Sequence, residues 1–455
     1  MDNNKRSSFS GKLGFVLAAS GASVGLGNIW RFPYLCAKYG GGIFLLVYII
    51  LALTFGYTMI IAETAIGRAS KKSPVGAFAK FGSNGAIRAG GWINSVIPML
   101  IVPYYSVIGG WASKYLYEYI AGDINAIASD SFFSDFLSNG VSVELWFVIF
   151  AAAIVGIIIM GVRRGIEAAS KFMIPILVVL SVVICIYSVT RPGAVEGVKY
   201  LFVPNFKAFS LMTIVSAMGQ MFFSLSIAMG ILITFGSYVK DDVSIENSTE
   251  QVEIFDTGIA VLASLMIIPA VFSFSNGSPE TLKAGPSLMF ITMPKIFAGM
   301  KMGRLIGILF FVLVLFAALT SAIALLESAV STFTDEFNWG RTKSTVIMGV
   351  VMIALGTLSA LGYGPLANVA IFKMQFLDFF DFLTNSVLMP IAALFICLLV
   401  TKHMGIEMIE KEVTLGDHSF RRKKVFNFMI KYVCPIFIVI ILLSSVANVL
   451  GLISM

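Results

Sequence analysis

Apolar runs close to twenty residues long recur from one end of the chain to the other, and this pattern admits very few folds. Hydrocarbon offers no water to backbone N–H and C=O groups, so only α-helices and closed β-barrels cross a bilayer. A run of about 20 residues matches one helical crossing of a ~30 Å core. The runs lack the two-residue alternation of a barrel strand. The chain therefore reads as an all-α polytopic membrane protein. Composition agrees: of 455 residues, 58% are hydrophobic and 13% charged, where a soluble domain carries about 25% charged residues.

Eleven segments are predicted, roughly at 12–37, 42–67, 90–120, 143–161, 167–190, 211–239, 254–275, 303–333, 345–362, 375–400 and 427–452. Basic residues gather in alternate loops: Lys5, Arg6 and Lys12; Arg68 to Arg88; Arg163, Arg164 and Lys171; Arg341 and Lys343; Lys411 and Arg421 to Lys424. The loop 121–142 has Asp123, Asp130 and Asp135 and no Lys or Arg. The positive-inside rule then places the N-terminus in the cytoplasm, and eleven crossings place the C-terminus outside. No cleavable signal peptide is evident. The net charge of +7 is spread over these loops and does not suggest nucleic acid. Cys36, Cys185, Cys397 and Cys434 have no metal-like spacing and read as buried thiols. His403 and His418 fall in a polar loop. With no histidine, cysteine or metal constellation in the apolar segments, an enzyme is disfavoured. The stretch 276–302, with Pro279, Gly285, Pro286 and Pro294, reads as an external lid containing short helices.

Within the first segment, Gly14 to Pro33 reads GFVLAASGASVGLGNIWRFP. Gly21, Gly25 and Gly27 weaken a helix in its middle. Glycines also serve close helix packing, but Asn28 and Arg31 are polar groups at depth, and such groups usually face a water-filled path. A break at membrane depth offers carbonyls to a cation and N–H groups to an anion. A second interrupted stretch, FFSLSIAMG at Phe222–Gly230, falls five segments later. Two interruptions at corresponding positions of two halves point to a binding site.

The run GASVGLGNIWRFPY resembles the first transmembrane segment of the neurotransmitter:sodium symporters, and the resemblance extends to about residue 400. It implies a single transmembrane domain, 1–455, with the leucine-transporter-like broken-helix inverted repeat (5+5). Repeat one covers about 12–190 and repeat two about 211–400. An extra helix at about 427–452 stands where many relatives have two. It also implies a bacterial amino-acid transporter of the plasma (inner) membrane, surrounded by lipid, taking up a small amino acid together with sodium, two ions in the family pattern.

The residue roles below are those the resemblance implies. One sodium is held by the carbonyls of Gly21, Val24 and Ala317 and the hydroxyls of Thr320 and Ser321. A second is held by Asn28, the Ser23 carbonyl, Ser224 and Asp256, the last placed at or within one residue of the family's asparagine. Substrate meets Ser23, Leu26, Gly27, Ile101, Tyr105, Ser226, Ser321 and Leu325. Phe223 is its aromatic lid, and Met229 gives an adaptable wall. Arg31 with Asp381 closes the external path, and Arg6 with Asp335 the cytoplasmic one. Tyr48, Gln220 and Ser224 mark the chloride pocket of animal relatives. Here the carboxylate of Asp256 stands beside it and supplies the negative charge, so uptake is expected to be chloride-independent. On the empty return step the same carboxylate could take up a proton. Serine and threonine hydroxyls in helices also bond their own preceding turn, and helix-end aspartates are common, so the residues alone leave those readings open.

The pocket residues favour a hydrophobic or aromatic amino acid, tyrosine or tryptophan before leucine. An amine substrate is the rival within the family, but amine carriers place an aspartate in the first break, where this chain has Gly25. A channel is the rival outside it, yet two breaks with paired gates fit a carrier better than a continuous pore.

Overall fold

The computed structural model describes residues 7–82, 84–274 and 286–449. Arg6, Pro279, Gly285 and the C-terminal residues of the sequence reading lie outside them. The described residues form helices joined by turns, with only two isolated bridges, Gly41 to Pro204 and Ile371 to Met374.

Among the described residues, nine helices are long and apolar enough to cross a membrane: Gly42–Ser70, Gly85–Ala121, Gly140–Ile159, Val162–Val189, Ile245–Phe274, Gly303–Phe337, Arg341–Leu361, Phe376–Met404 and Lys423–Ala447. A tenth crossing comes from Lys12–Ser23 and Gly27–Lys38, bent by 53° where they meet. Leu211–Ser224 and Ile231–Ser237 fill the place of the sixth predicted segment, so the observed order follows the eleven-segment reading. The spans are numbered in that order below.

Two boundaries differ from the sequence reading for a physical reason. The seventh span starts at Ile245, not near 254. Its first turns are polar, but Glu246 is buried and its carboxylate is satisfied. Tyr57 Oη donates to it at 2.6 Å, and the backbone N–H groups of Arg421 and Arg422 donate at 2.9 and 3.0 Å. Hydropathy cannot see partners that distant. His403 belongs to the last turn of the tenth span, Leu399–Met404, so only His418 is a loop residue.

The third span has 37 residues, which at 1.5 Å per residue is about 55 Å, far more than the hydrocarbon needs. It starts at a cap in which Asn84 Oδ1 accepts the Ile87 N–H at 2.9 Å. Together with the eighth span it forms the most extensive packing in the molecule. The first span threads between the fifth, seventh and eighth, which buries every residue from Gly14 to Ser23. The second half of the sixth span lies flat against the second span because Gly67 of the second and Gly236 of the sixth each face the other's helix. A Cβ at either would run into the Ile233 or Thr64 carbonyl. Small residues at such a contact let backbones approach where lipid gives no hydrophobic drive.

Of the predicted lid, residues 286–298 are helical, ending in Met293–Ala298. Tyr115 Oη donates to the Phe290 carbonyl at 2.8 Å, and Lys295 is ion-paired to Asp130. All four cysteines are buried free thiols.

Candidate functional site

The first break begins where Val24 leaves the helix with φ −76° and ψ 92°. The carbonyls of a helix's last turn have no partner within the helix, and here they turn toward the eighth span. Ser321 Oγ lies 3.2 Å from the Gly21 carbonyl oxygen and 3.1 Å from that of Ala22. Thr320 Oγ1 bonds back to Phe316 and Ala317 at 3.0 and 3.2 Å, which brings the Ala317 carbonyl into the same group. A Cβ at Gly21 would sit 3.1 Å from Thr320 Cβ, a contact tight enough that the eighth span would have to give by a few tenths of an ångström. Gly21, Ala317, Thr320 and Ser321 are thus brought together, with Val24 three residues along the same turn.

The second break carries three consecutive alternate residues in the left-handed region: Ser226 at φ 53°, Ala228 at 59° and Gly230 at 70°. For serine and alanine this conformation is disfavoured and persists only when the surroundings hold it. Two contacts hold it here. Glu63 Oε1 accepts the Ala228 N–H at 2.7 Å, and Ser226 Oγ donates to the Ala22 carbonyl at 3.0 Å. The second contact ties one break directly to the other. Glu63 is fully buried on the second span, and the sequence reading missed it. A lone glutamate inside YTMIIAETAIG was the available signal, because an intramembrane carboxylate is functional by default.

Asp256 is the hub of the remaining polar groups. Asn28 Nδ2 donates to its Oδ1 at 2.8 Å and to its carbonyl at 3.2 Å. Ser224 Oγ donates to Oδ1 at 2.7 Å and Tyr48 Oη to Oδ2 at 2.9 Å. The aspartate is wholly buried, and its described hydrogen-bond partners are all neutral donors. A buried carboxylate without a balancing cation is costly, so this donor set suits a small cation with oxygen ligands. Gln220 Nε2 donates to the Gly27 carbonyl at 3.0 Å, while Gln220 Oε1 and Ser23 Oγ are buried without a hydrogen-bond partner. Asn28, Ser224, Asp256, Tyr48 and Gln220 therefore stand together as one cluster beside Ser23.

Between the two breaks lies a cavity of about 20 Å³. Ser23, Gly27, Ile101, Tyr105, Phe223, Ser226, Met229, Ser321 and Leu325 line it, all expected from the sequence. Ala22, Gly25, Ser224 and Ile231 line it too; Ala22 and Ile231 were missed because they are plain apolar residues in apolar runs. Leu26 does not line it. Its backbone N–H donates to Tyr105 Oη at 3.1 Å, which leaves the phenolic hydrogen free to serve an acceptor in the cavity. About 20 Å³ holds roughly one water, so a substrate side chain enters only when a wall residue moves.

Phe223 and Tyr105 line both this cavity and a larger one of about 330 Å³. Arg31 and Asp381 face the larger cavity but are not joined in a described ion pair. Arg31 lies 5.4 Å from the Phe223 ring centroid. Asp381 Oδ1 accepts from Asn385 Nδ2 at 2.6 Å and Tyr104 Oη at 3.2 Å. The expected direct contact is thus absent, and the two charges stand across an open vestibule. For the other expected pair, Arg6 lies outside the described residues, and Asp335 Oδ2 accepts the Ser73 N–H at 2.6 Å.

The family model of the Sodium:neurotransmitter symporter family matches residues 6–125 and 133–453. An uncharacterized sodium-dependent transporter of Bacillus subtilis (strain 168), YhdH, is 32% identical over 458 residues, covering 100% of both chains. An uncharacterized sodium-dependent transporter of Haemophilus influenzae is 31% identical, covering 98% of this chain and 99% of the relative. Among solved structures, MhsT in complex with L-phenylalanine superposes with a TM-score of 0.87 at 36% identity, covering 97% of this chain and 100% of that one.

Proposed function

The chain belongs to the sodium:neurotransmitter symporter family and is a sodium-dependent membrane transporter; from that premise we propose that it takes up a hydrophobic or aromatic amino acid by alternating access, with two sodium ions and without chloride. The observation that carries this reading is the cavity closed between two breaks and capped by Phe223. Its wall combines Ile101, Met229, Ile231 and Leu325 with hydroxyls and backbone at one end. That pairing suits an apolar side chain on an amino-acid head. L-Phenylalanine bound to the similar MhsT supports the same class.

The head group meets complementary atoms. Its ammonium faces the carbonyls of the unwound Phe223–Ser226 segment and of the first break. Its carboxylate faces the Gly27 N–H and the free hydrogen of Tyr105, whose Oη is itself held by the Leu26 N–H. One sodium sits among Gly21, Val24, Ala317, Thr320 and Ser321, between the first and eighth spans. The other sits at Asn28, Ser23, Ser224 and Asp256. Hard oxygen ligands suit such a cation, and mostly neutral ones hold it without trapping it. Binding the ion therefore fixes the first break against the eighth and seventh spans, which preforms the substrate pocket. Substrate then draws Phe223 down, and Arg31 moves with the ring toward Asp381. The N-terminus and the arginine-rich loops lie in the cytoplasm, so the Arg31 vestibule is external.

The test is uptake into proteoliposomes holding an inward sodium gradient, in competition with each of the twenty amino acids. Sodium-dependent uptake blocked best by aromatic and large aliphatic amino acids is expected. Competition by glycine, glutamate or lysine at least as strong would overturn the substrate reading. Uptake of a decarboxylated amine with no amino-acid uptake would favour the amine reading, against which Gly25 speaks.

A further inference from the structure

Glu253, one helical turn before Asp256 on the seventh span, is a buried carboxylate that nothing in the transport site uses. It is 3% exposed, and neither of its side-chain oxygens accepts a hydrogen bond. The nearest described cation is Arg422, whose guanidinium stands 3.7 Å away. That arginine is held closer to Glu250, at 3.2 Å, and lies over the Tyr57 ring at 4.5 Å. A buried carboxylate without a donor is expensive to keep, so the site calls for a group with N–H bonds and positive charge.

Glu253 borders a cavity of about 420 Å³. Glu250 and Arg422 share its polar end. Leu53 and Ile254 stand at its rim, 47% and 71% exposed. Both belong to membrane-spanning helices, so the cavity opens sideways toward hydrocarbon. With the arginine-rich loops in the cytoplasm, a reading on which this inference rests, the polar end lies at the headgroup level of the inner leaflet.

We propose that this cavity binds a phospholipid with a primary-amine, phosphatidylethanolamine-type headgroup. Its ammonium donates to Glu253 and Glu250, its phosphate faces the Arg422 guanidinium, and its acyl chains leave past Leu53 and Ile254. The two signs of charge in the cavity match a zwitterion. The unsatisfied oxygens of Glu253 select a headgroup that can donate. A primary ammonium carries three N–H donors. A trimethylammonium carries the same charge and none, and a glycerol headgroup carries no positive charge.

The experiment uses the purified full chain in detergent. It is offered dioleoyl-phosphatidylethanolamine, its mono- and dimethylated derivatives, phosphatidylcholine or phosphatidylglycerol, and retained lipid is counted by native mass spectrometry. Retention is expected to fall with each added methyl group, by about tenfold between the primary amine and phosphatidylcholine. Glu253→Leu, which leaves no acceptor there, should remove that preference. Gly258→Leu should remove retention of the ethanolamine lipid, because Gly258 lines the cavity and a Cβ there meets nothing within 4 Å. A wild-type melting temperature for Gly258→Leu would show that it fills the cavity without unfolding the protein. Equal retention of the ethanolamine and choline lipids overturns the proposal. So does tighter retention of phosphatidylglycerol, or an ethanolamine preference that survives Gly258→Leu. Labelling of a cysteine placed at Lys424 by an impermeant reagent from outside intact cells would overturn the orientation, and would leave the methylation series to judge the headgroup site on its own.

Discussion

Asn28 and Asp256 meet across two helices, with Nδ2 at 2.8 Å from the carboxylate and 3.2 Å from the same residue's carbonyl. The other end of the amide is also fixed, because Asn28 Oδ1 accepts the Gly25 N–H at 3.0 Å. The side chain thus has one orientation, and through it the unwound turn of the first span is referenced to the seventh. Whatever changes the charge at Asp256 is felt at the turn that lines the substrate cavity.

Chloride dependence follows from that link. Asp256 supplies a negative charge beside Tyr48, Ser224 and Gln220. Removing it leaves cationic ligands in a medium where Coulomb terms grow as the effective dielectric falls from ~80 toward ~20. Wild-type uptake should be unchanged when gluconate replaces chloride, whereas Asp256→Ser and Asp256→Asn should require chloride. Initial uptake rates in the two salts decide it. A wild type that stops without chloride refutes the account, and chloride-indifferent activity in both variants removes Asp256 from the role.

The oxygen group proposed to hold sodium between the first and eighth spans gives a second prediction. Thr320→Ala with Ser321→Ala removes two of five proposed ligands. At about 1 kcal/mol for each neutral contact, half-saturating sodium should rise about thirtyfold. Sodium titrations of uptake, with surface expression as the folding control, measure it. A wild-type sodium curve would exclude the site.

Glu63 is expected to act on stability through the second break. Glu63→Ala leaves the Ala228 N–H of a strained turn unpaired, and should destabilise the protein by about 2 kcal/mol. Glu63→Gln keeps an acceptor in place and should lose less. Thermal melting of both variants in one detergent tests the ordering. An alanine variant that melts with the wild type would show that the turn is held by something else.

Substrate size should respond to Met229. The resting cavity of about 20 Å³ cannot take an aromatic ring unless a wall yields, and methionine is the most adaptable side chain there. Met229→Ala should improve competition by tryptophan relative to leucine several-fold, since the missing side chain makes room for the larger ring. Met229→Phe should reverse the order. An unchanged tryptophan-to-leucine ratio in both variants would place the side chain of the substrate elsewhere.

The spans were legible in the sequence because lipid leaves the backbone so few choices: every run long enough to cross became helix. The breaks were legible for a related reason, since glycine and serine clusters inside apolar runs need an explanation. Asp256 could not be placed by sequence register alone; its contacts with Asn28 and Ser224 put it in the cluster. Glu63 stands out in the sequence as a lone carboxylate in an apolar run, but the contacts of Glu63 and Glu246 were not legible. Their partners, Ala228 and the backbone of Arg421 and Arg422, lie 165 to 176 residues away, and no local pattern announces such a pairing. Arg31 and Asp381 line one vestibule without the direct pairing expected of them, since a contact between the first and tenth spans is not fixed by any local pattern.

Gly25 carries a consequence for how this chain could change its diet over evolutionary time. A Cβ on that residue would lie 2.6 Å from Ser321 Oγ and 2.8 Å from Tyr105 Oη, and each of those oxygens is already engaged, with the Gly21 and Ala22 carbonyls and with the Leu26 N–H respectively. An aspartate introduced there, the substitution that would suit an amine, must displace both of them. Retreat of Ser321 weakens a proposed sodium ligand, and retreat of Tyr105 leaves the Leu26 N–H without its acceptor. The route from amino acid to amine therefore crosses an intermediate that is worse at both, unless compensating changes at Ser321 and Tyr105 arrive first. Mutational history along such a lineage would have a fixed order, with the neighbours changing before the glycine.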